Sequence, residues 1–270
     1  MHALFVLLWL GRLPCLPSET IPPLAEPETL APAPQAPEPE TPAPVALPNE
    51  TATYRVTYGI LGQVAEATVS FAPAAGSATP LVRAVGTGAG AVLGFGKMSK
   101  RIESEFDARA LGPTRWTSTR WSDGKTTIDI AEQVQPGAVS LVRKRQGQPD
   151  QAAAFSRGAI VLDPLGLLLR IRLAVPTART VYEVLDGRGL WLITLAPAAG
   201  PGVQPLLRLD GQADPVYWDG LPDKKRTARR FSLYLSNDAR RIPVRLVVPF
   251  GIGEVRVDIV ALTRPAAGPS

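Results

Sequence analysis

Tyr54-Arg55-Val56-Thr57-Tyr58-Gly59-Ile60 alternates apolar and polar side chains. Successive side chains of an extended chain point to opposite faces, so Tyr54, Val56, Tyr58 and Ile60 line one side while Arg55, Thr57 and Gly59 line the other. A period of two sustained over this length is a half-buried strand. Leu61-Gly62-Gln63 then turns the chain into Ala65-Glu66-Ala67-Thr68-Val69-Ser70-Phe71, so the opening unit reads as a β-hairpin.

Similar short runs recur at 81–85, 101–106, 114–121, 126–134, 139–145, 180–185, 190–195, 205–211, 228–235, 243–249 and 254–262. Turn signals such as Ser122-Asp123-Gly124-Lys125 and Asp186-Gly187-Arg188-Gly189 separate them, because Asp and Gly readily supply positive φ. Many short strands at close spacing predict a mainly β fold, a curved antiparallel sheet or barrel-like sandwich. One segment departs from the rule. Asp163-Pro164-Leu165-Gly166-Leu167-Leu168-Leu169-Arg170-Ile171-Arg172 opens with a capping carboxylate and a proline suited to the first helical position. It predicts one short helix near 163–172, closing or plugging one end of the sheet.

Upstream of the strands the composition changes twice. Ala3 to Leu10 is an apolar run of eight, shorter than the roughly twenty residues that span a bilayer but within the range of a signal-peptide core. No positive charge precedes it, so either the true start lies upstream or the export signal is atypical. Cys15 follows Arg12-Leu13-Pro14, a poor match to a lipoprotein signal, and a plain cleaved signal is weighed against lipidation of Cys15. From Pro17 to Pro48, eleven of thirty-two residues are proline, interleaved with Ala and Glu. Proline fixes φ and removes the amide donor, so this stretch favours extended conformations and buries little. At about 3.1 Å per residue it reaches on the order of 100 Å, enough to hold a domain away from a membrane. The expected organisation is a signal or export segment at 1–16, a tether at 17–49, a single β domain at 50–264 and a short tail at 265–270.

The only Cys (Cys15) and the only His (His2) lie in the first fifteen residues. A working domain without either has no disulfide, thiolate nucleophile, histidine base, Ser-His-Asp or Cys-His arrangement, or common Cys/His zinc site. A cofactor is not expected. The Gly-rich stretch Gly86 to Gly96 lacks the following helix and the Lys-Ser/Thr pair of a phosphate loop, so it reads as a flexible or bulged connection. Glu103 and Glu105 share a strand face with Asp107, and Asp123 and Asp129 lie near the next turn and strand. They are the candidates for a carboxylate-dependent polysaccharide hydrolase, although a polar outward face accounts for them as well.

Charge points elsewhere. The chain has 29 Lys+Arg and 24 Asp+Glu, yet between Leu13 and Tyr54 there are six acids and no base. With those and Arg12 set aside, 28 bases and 18 acids remain, a net of +10 on the folded part. Such a surface attracts anionic partners, although a solvated cationic surface with no specific partner fits the same charge. The densest cluster is Lys224, Lys225, Arg226, Arg229 and Arg230, with Arg240 and Arg241 adding to it and Trp218 alongside as a candidate for sugar stacking or lipid contact. Trp116, Trp121 and Trp191 read as core or cross-strand packing.

Three segments carry a family resemblance: Tyr54 to Leu61, Asp163 to Arg170, and Leu235-Ser236-Asn237-Asp238-Ala239-Arg240-Arg241-Ile242-Pro243-Val244-Arg245. With Ile102 to Asp107, Leu111-Gly112-Pro113 and Gly253-Glu254-Val255 in the same order, the chain resembles a bacterial envelope family catalogued as domain of unknown function 3108. The resemblance implies a signal-bearing protein with a barrel-like antiparallel sheet, exported to the periplasm, and brings no activity with it. Gly166 stands where the family more often has Ser. The reading is a non-enzymatic exported cell-envelope protein, possessing a concave sheet or barrel mouth for an anionic or amphiphilic component such as lipid, lipopolysaccharide or wall polymer. Peripheral membrane association is compatible with it; nucleic acid is not an expected partner, because export separates the chain from the nucleoid. The alternatives are a subunit docking on another envelope protein and the hydrolase.

Overall fold

The structure is a computed structural model and describes residues 48–264 apart from 75–80, 92–96, 123, 136, 188, 199–205 and 252. The expected signal segment, nearly all of the tether, Cys15 and Asp123 lie outside the described residues. The strands are β1 (Glu50–Tyr58), β2 (Gln63–Pro73), β3 (Leu81–Ala91), β4 (Lys97–Asp107), β5 (Gly112–Ser122), β6 (Lys125–Gln135), β7 (Ala138–Arg145) and β8 (Gln148–Ser156). After β9 (Val161–Leu162) comes the helix α1 (Pro164–Leu173). Then follow β10 (Thr180–Asp186), β11 (Gly189–Pro197), β12 (Leu206–Val216), β13 (Arg229–Ser236), β14 (Pro243–Phe250) and β15 (Gly253–Thr263).

All fifteen strands form one sheet in the order β8-β7-β6-β5-β4-β3-β2-β1-β15-β14-β13-β12-β11-β10-β9. Two meanders therefore run away from each other and are joined where β1 pairs antiparallel with β15, from Thr51↔Thr263 to Tyr58↔Val255. Only β9 and β10 pair in parallel among the described strands. The first hairpin forms as its alternation predicts, with Tyr54 and Val56 buried opposite Ala67 and Ala65. Its turn is a 3-10 turn, Gly59–Leu61, so Ile60 lies in the turn and β1 ends at Tyr58.

Register identifies the concave face. Glu50, Phe71, Ala84, Ser104, Trp116, Ala131 and Leu141 fall in one cross-strand row from β1 to β7, and every one is buried. The sheet curls until this face at one end covers the outer face of the other end. On β10 and β11, Val184, Trp191 and Ile193 belong to the main core, whereas Leu185 and Leu190 belong to a second cluster with Trp116, Ala131, Val139 and Leu141. β9 is split the same way, with Leu162 in the main core and Val161 in the second cluster. The sheet is thus rolled with overlapping ends, barrel-like without a closing ladder between β8 and β9.

The helix enters the roll from one end. Asp163 takes an extended backbone (φ −92°, ψ 170°) and its carboxylate accepts from the Leu165 N–H at 2.8 Å, with Pro164 at the first helical position. Leu165, Leu167, Leu168, Leu169 and Ile171 are all buried, so the helix is buried nearly all round, as a helix enclosed by a sheet must be, with its charged side chains, Arg170 and Arg172, confined to the last turn. Enclosure also outweighs the propensity cost of Gly166, about 1 kcal/mol relative to Ala. At its C-terminus Arg170 donates to the Leu111 carbonyl (3.0 Å), while Arg172 donates to the Arg240 carbonyl (3.1 Å) and to buried Glu50 (2.6 Å). The helix therefore plugs the end of the roll that holds the 107–112 and 236–243 turns.

Three readings need correction. Gly86 to Ala91 is not a loop but the second half of β3. Gly86 and Gly90 occupy inward register positions opposite Ile102 and Ala65, and a Cβ at Gly90 would lie 2.5 Å from the Ala65 Cβ, so glycine here permits close strand approach. β8 and β9 were not evident in the sequence: Gln148 to Ser156 has no apolar alternation because it is a mostly exposed edge strand, and β9 has two residues. β12 runs on to Val216, beyond the expected Gly211.

Asp163 is fully buried, accepts from the Ser104 hydroxyl at 2.7 Å, and is pushed by burial from the usual 3.8 to about 6. Between those values the folded chain holds a proton that the unfolded chain has released, so this contribution is complete below about pH 4 and is lost as pH rises through 6. Asp163→Asn keeps a capping oxygen and removes the titration. Urea unfolding should show the variant gaining on the parent chain between pH 4 and 7 by on the order of 3 kcal/mol, and a constant difference across that range would refute the assignment.

Candidate functional site: the basic rim and the outer sheet face

The loop between β12 and β13, residues 217–228, stands on the rim opposite the helix and is held by its own backbone. The Tyr217 N–H donates to the Leu221 carbonyl (2.8 Å), the Gly220 N–H to the Tyr217 carbonyl (2.9 Å) and the Asp223 N–H to the Pro215 carbonyl (2.9 Å). Gly220 has φ +88°, and a Cβ there would lie 2.7 Å from the Arg157 guanidinium, so glycine is required for the turn and for the arginine beside it.

The structure separates the residues singled out for their charge. Lys224, Lys225 and Arg230 are exposed. Arg226 turns inward: it donates to Asp223 (2.6 Å) and to the Val216 (2.7 Å) and Leu190 (3.1 Å) carbonyls and lies 4.7 Å over the Trp191 ring. It pins the loop to the sheet. Arg229 points into the roll, 5.2 Å over the Phe250 ring. Trp218 stacks on Phe155 at 5.5 Å and 24°, and its carbonyl faces Arg157, so its ring joins the loop to β8.

Arg240 and Arg241 belong to the opposite end. They sit in the turn between β13 and β14, and the eight residues of β13 place them roughly 25 Å from the lysines. Arg240 donates to Asp238 (2.7 Å) and Arg241 to Asn237 (3.2 Å). Asp238 is held down at about 2, chiefly by the Ser236 hydroxyl and then by Arg240. A single seven-residue cationic patch does not form, because consecutive turns of a meander lie at opposite ends of their strand.

What the rim presents beside Lys224 and Lys225 is apolar. Leu221 is 62% exposed and Tyr217 is 43% exposed, both within a braced loop. Sequence reasoning missed these two; their signal was a pair of large apolar residues inside an Asp/Gly/Pro turn, where burial is not available to them.

Of the carboxylates, Glu103 and Glu105 stay together on β4, lining a groove of about 160 Å³, while Asp107 and Asp129 lie apart from them. Glu103 lies on the outer face between Arg101 (2.6 Å) and Arg83 (3.1 Å), and the Arg101 hydrogen bond, followed by that of Arg83, holds it below the usual carboxylate value against a modest desolvation. A general acid requires the opposite shift. Asp107 accepts from the Arg109 (2.8 Å) and Ala110 (3.2 Å) amides and shapes a turn. Asp129 is buried against Arg143, whose Nη2 donates at 2.8 Å. Glu103 and Glu105 stand side by side on one strand rather than facing each other across their groove.

A rolled antiparallel sheet around a buried helix makes this a barrel-like β protein. Among solved structures, it is similar to a beta-barrel-like protein of domain of unknown function DUF1849 from Brucella abortus, with 12% identity, a TM-score of 0.52, and 83% of this chain and 100% of that one covered. The chain belongs to the family described as protein of unknown function DUF3108, whose model matches residues 53–260. More distant is LprF from Mycobacterium bovis, at 11% identity and a TM-score of 0.27 over 82% of this chain and 89% of that one. No curated protein matches the chain.

The separation of roles can be measured. Arg226→Ala removes several charge-assisted hydrogen bonds and should lower unfolding stability by about 2–3 kcal/mol, whereas Lys224→Gln with Lys225→Gln should leave the urea midpoint unchanged. Equal effects would show that the lysines are structural too.

Proposed function

We propose that this chain is a non-enzymatic, exported cell-envelope protein that docks its β12–β13 rim on an anionic, amphiphilic envelope surface. The observation that carries the reading is the juxtaposition of exposed Lys224 and Lys225 with exposed Leu221 and Tyr217 on a loop already fixed by its backbone and by Arg226. Lysines gain Coulomb attraction to acidic headgroups while an apolar tip enters the boundary beneath them. A braced loop loses little further entropy on docking.

Export is supported by the apolar run at 3–10 and the Pro-rich stretch after it, which would supply both the address and the reach. The rim, rather than the interior, is the binding surface in this reading, because the helix and the large side chains of the main core occupy the roll from the opposite end. That same filled interior favours a second reading, docking on another envelope protein, for which crosslinking in cells should recover one stable protein partner.

Vesicle co-sedimentation separates the two. The chain should bind vesicles containing phosphatidylglycerol and not vesicles of phosphatidylcholine alone, with binding falling as salt rises. Lys224→Gln with Lys225→Gln should weaken binding by about 2 kcal/mol, roughly thirtyfold. Binding that ignores lipid charge, or none at all, would refute the lipid reading.

A further inference from the structure

The outer face of β2 to β5 carries a groove of about 400 Å³ that the rim does not explain. It follows from register. Glu66, Ala89, Ser99 and Trp121 occupy one cross-strand row, and Thr68, Thr87 and Arg101 occupy the next. Alanine and serine form a low floor between a tryptophan and a glutamate three strands apart, roughly 14 Å. Trp121 is 40% exposed, because Trp116, five residues earlier on the same strand, takes the buried face. A large indole left facing a polar groove on rigid sheet is a binding surface with its entropic cost already met.

We infer that this groove binds a neutral pyranose chain, with Trp121 stacking on the C–H face of one sugar ring and Ser99, together with the row of Thr68, Thr87 and Arg101, hydrogen-bonding to its hydroxyls. The chemistry selects the ligand. A sugar ring offers an apolar face and a polar edge, matching an indole beside hydroxyl side chains. The hydroxyls stand on the sheet lattice, about 4.8 Å apart across strands and 6.6 Å apart along them. One acid, Glu66, and two bases, Lys100 and Arg101, line the groove, but Lys100 is paired with Asp186 and Arg101 already donates to Glu103 at 2.6 Å, so little net charge is left for a ligand. This distinguishes it from the cationic rim, and each binding event can occur without the other.

Isothermal titration of the full chain with cellohexaose and with chitohexaose tests the inference, the two arms separating plain from N-acetylated sugars. Saturable binding of at least one, accompanied by a change in tryptophan fluorescence, is expected. Trp121→Ala should weaken binding by tenfold or more, roughly the loss of one stacked ring, with an unchanged melting temperature. Ala89→Trp, which fills the floor from an outward position, should abolish binding even if the first variant is poorly folded. No binding of either oligosaccharide, or binding unaffected by both substitutions, would overturn the proposal.

Discussion

Beside its turn the β10–β11 hairpin is buried on both faces, and the rest of the molecule is arranged to bury them. Val184 and Trp191 turn to the main core, while their chain neighbours Leu185 and Leu190 turn the other way and are fully covered by Trp116, Ala131, Val139 and Leu141. Each large apolar side chain removed from water contributes about 1.5–3 kcal/mol. A flat or openly curved sheet would expose one set or the other. Rolling the sheet until its ends overlap satisfies both, and encloses a space into which α1 packs its leucines from one end.

Polar contacts fix where the overlap falls. Lys100 on β4 pairs with Asp186 on β10, and Arg157 after β8 donates to Glu183 on β10 at 2.7 Å. The buried Asp129–Arg143 pair lies so close to the β10–β11 turn that a Cβ at Gly187 would be 2.9 Å from the Asp129 carboxylate. Buried ion pairs contribute little net stability once desolvation is counted, but a slipped overlap would part Lys100 from Asp186 and Arg157 from Glu183, whereas Asp129 and Arg143, opposite each other on β6 and β7, would stay paired. The two pairs that join the ends specify register, and greasy contacts supply the free energy. In the proposed reading, the chemistry offered to a partner lies on the outside, on the rim and on the outer sheet face.

The strand content was legible wherever one face is wet and the other dry, since the alternation in 54–60 and 65–71 reports that difference directly. The helix was legible from Asp163 and Pro164, which act through local geometry alone. β8 was not, because Gln148-Pro149-Asp150-Gln151-Ala152 is exposed on both faces and carries no period. Neither was the overlap: a strand buried on both sides, such as Val184-Leu185, reads only as an apolar run whose second partner is unknown. For the site, sequence gave charge without direction. Arg226 and Arg229 looked like Lys224 and Lys225, yet an aromatic ring beneath each draws the guanidinium inward. Trp121 was within reach of the sequence, since five residues from Trp116 is an odd step and reverses the face.

The rolled, overlapping sheet is the claim on which the placement of both surfaces depends, and methyl–methyl nuclear Overhauser contacts measure it directly. On selectively methyl-labelled protein, the account requires cross-peaks between the methyls of Val139 and Leu141 on β7 and those of Leu185 and Leu190 on β10 and β11. Absence of all of these, with β7 methyls contacting only their own ladder neighbours, would contradict the roll.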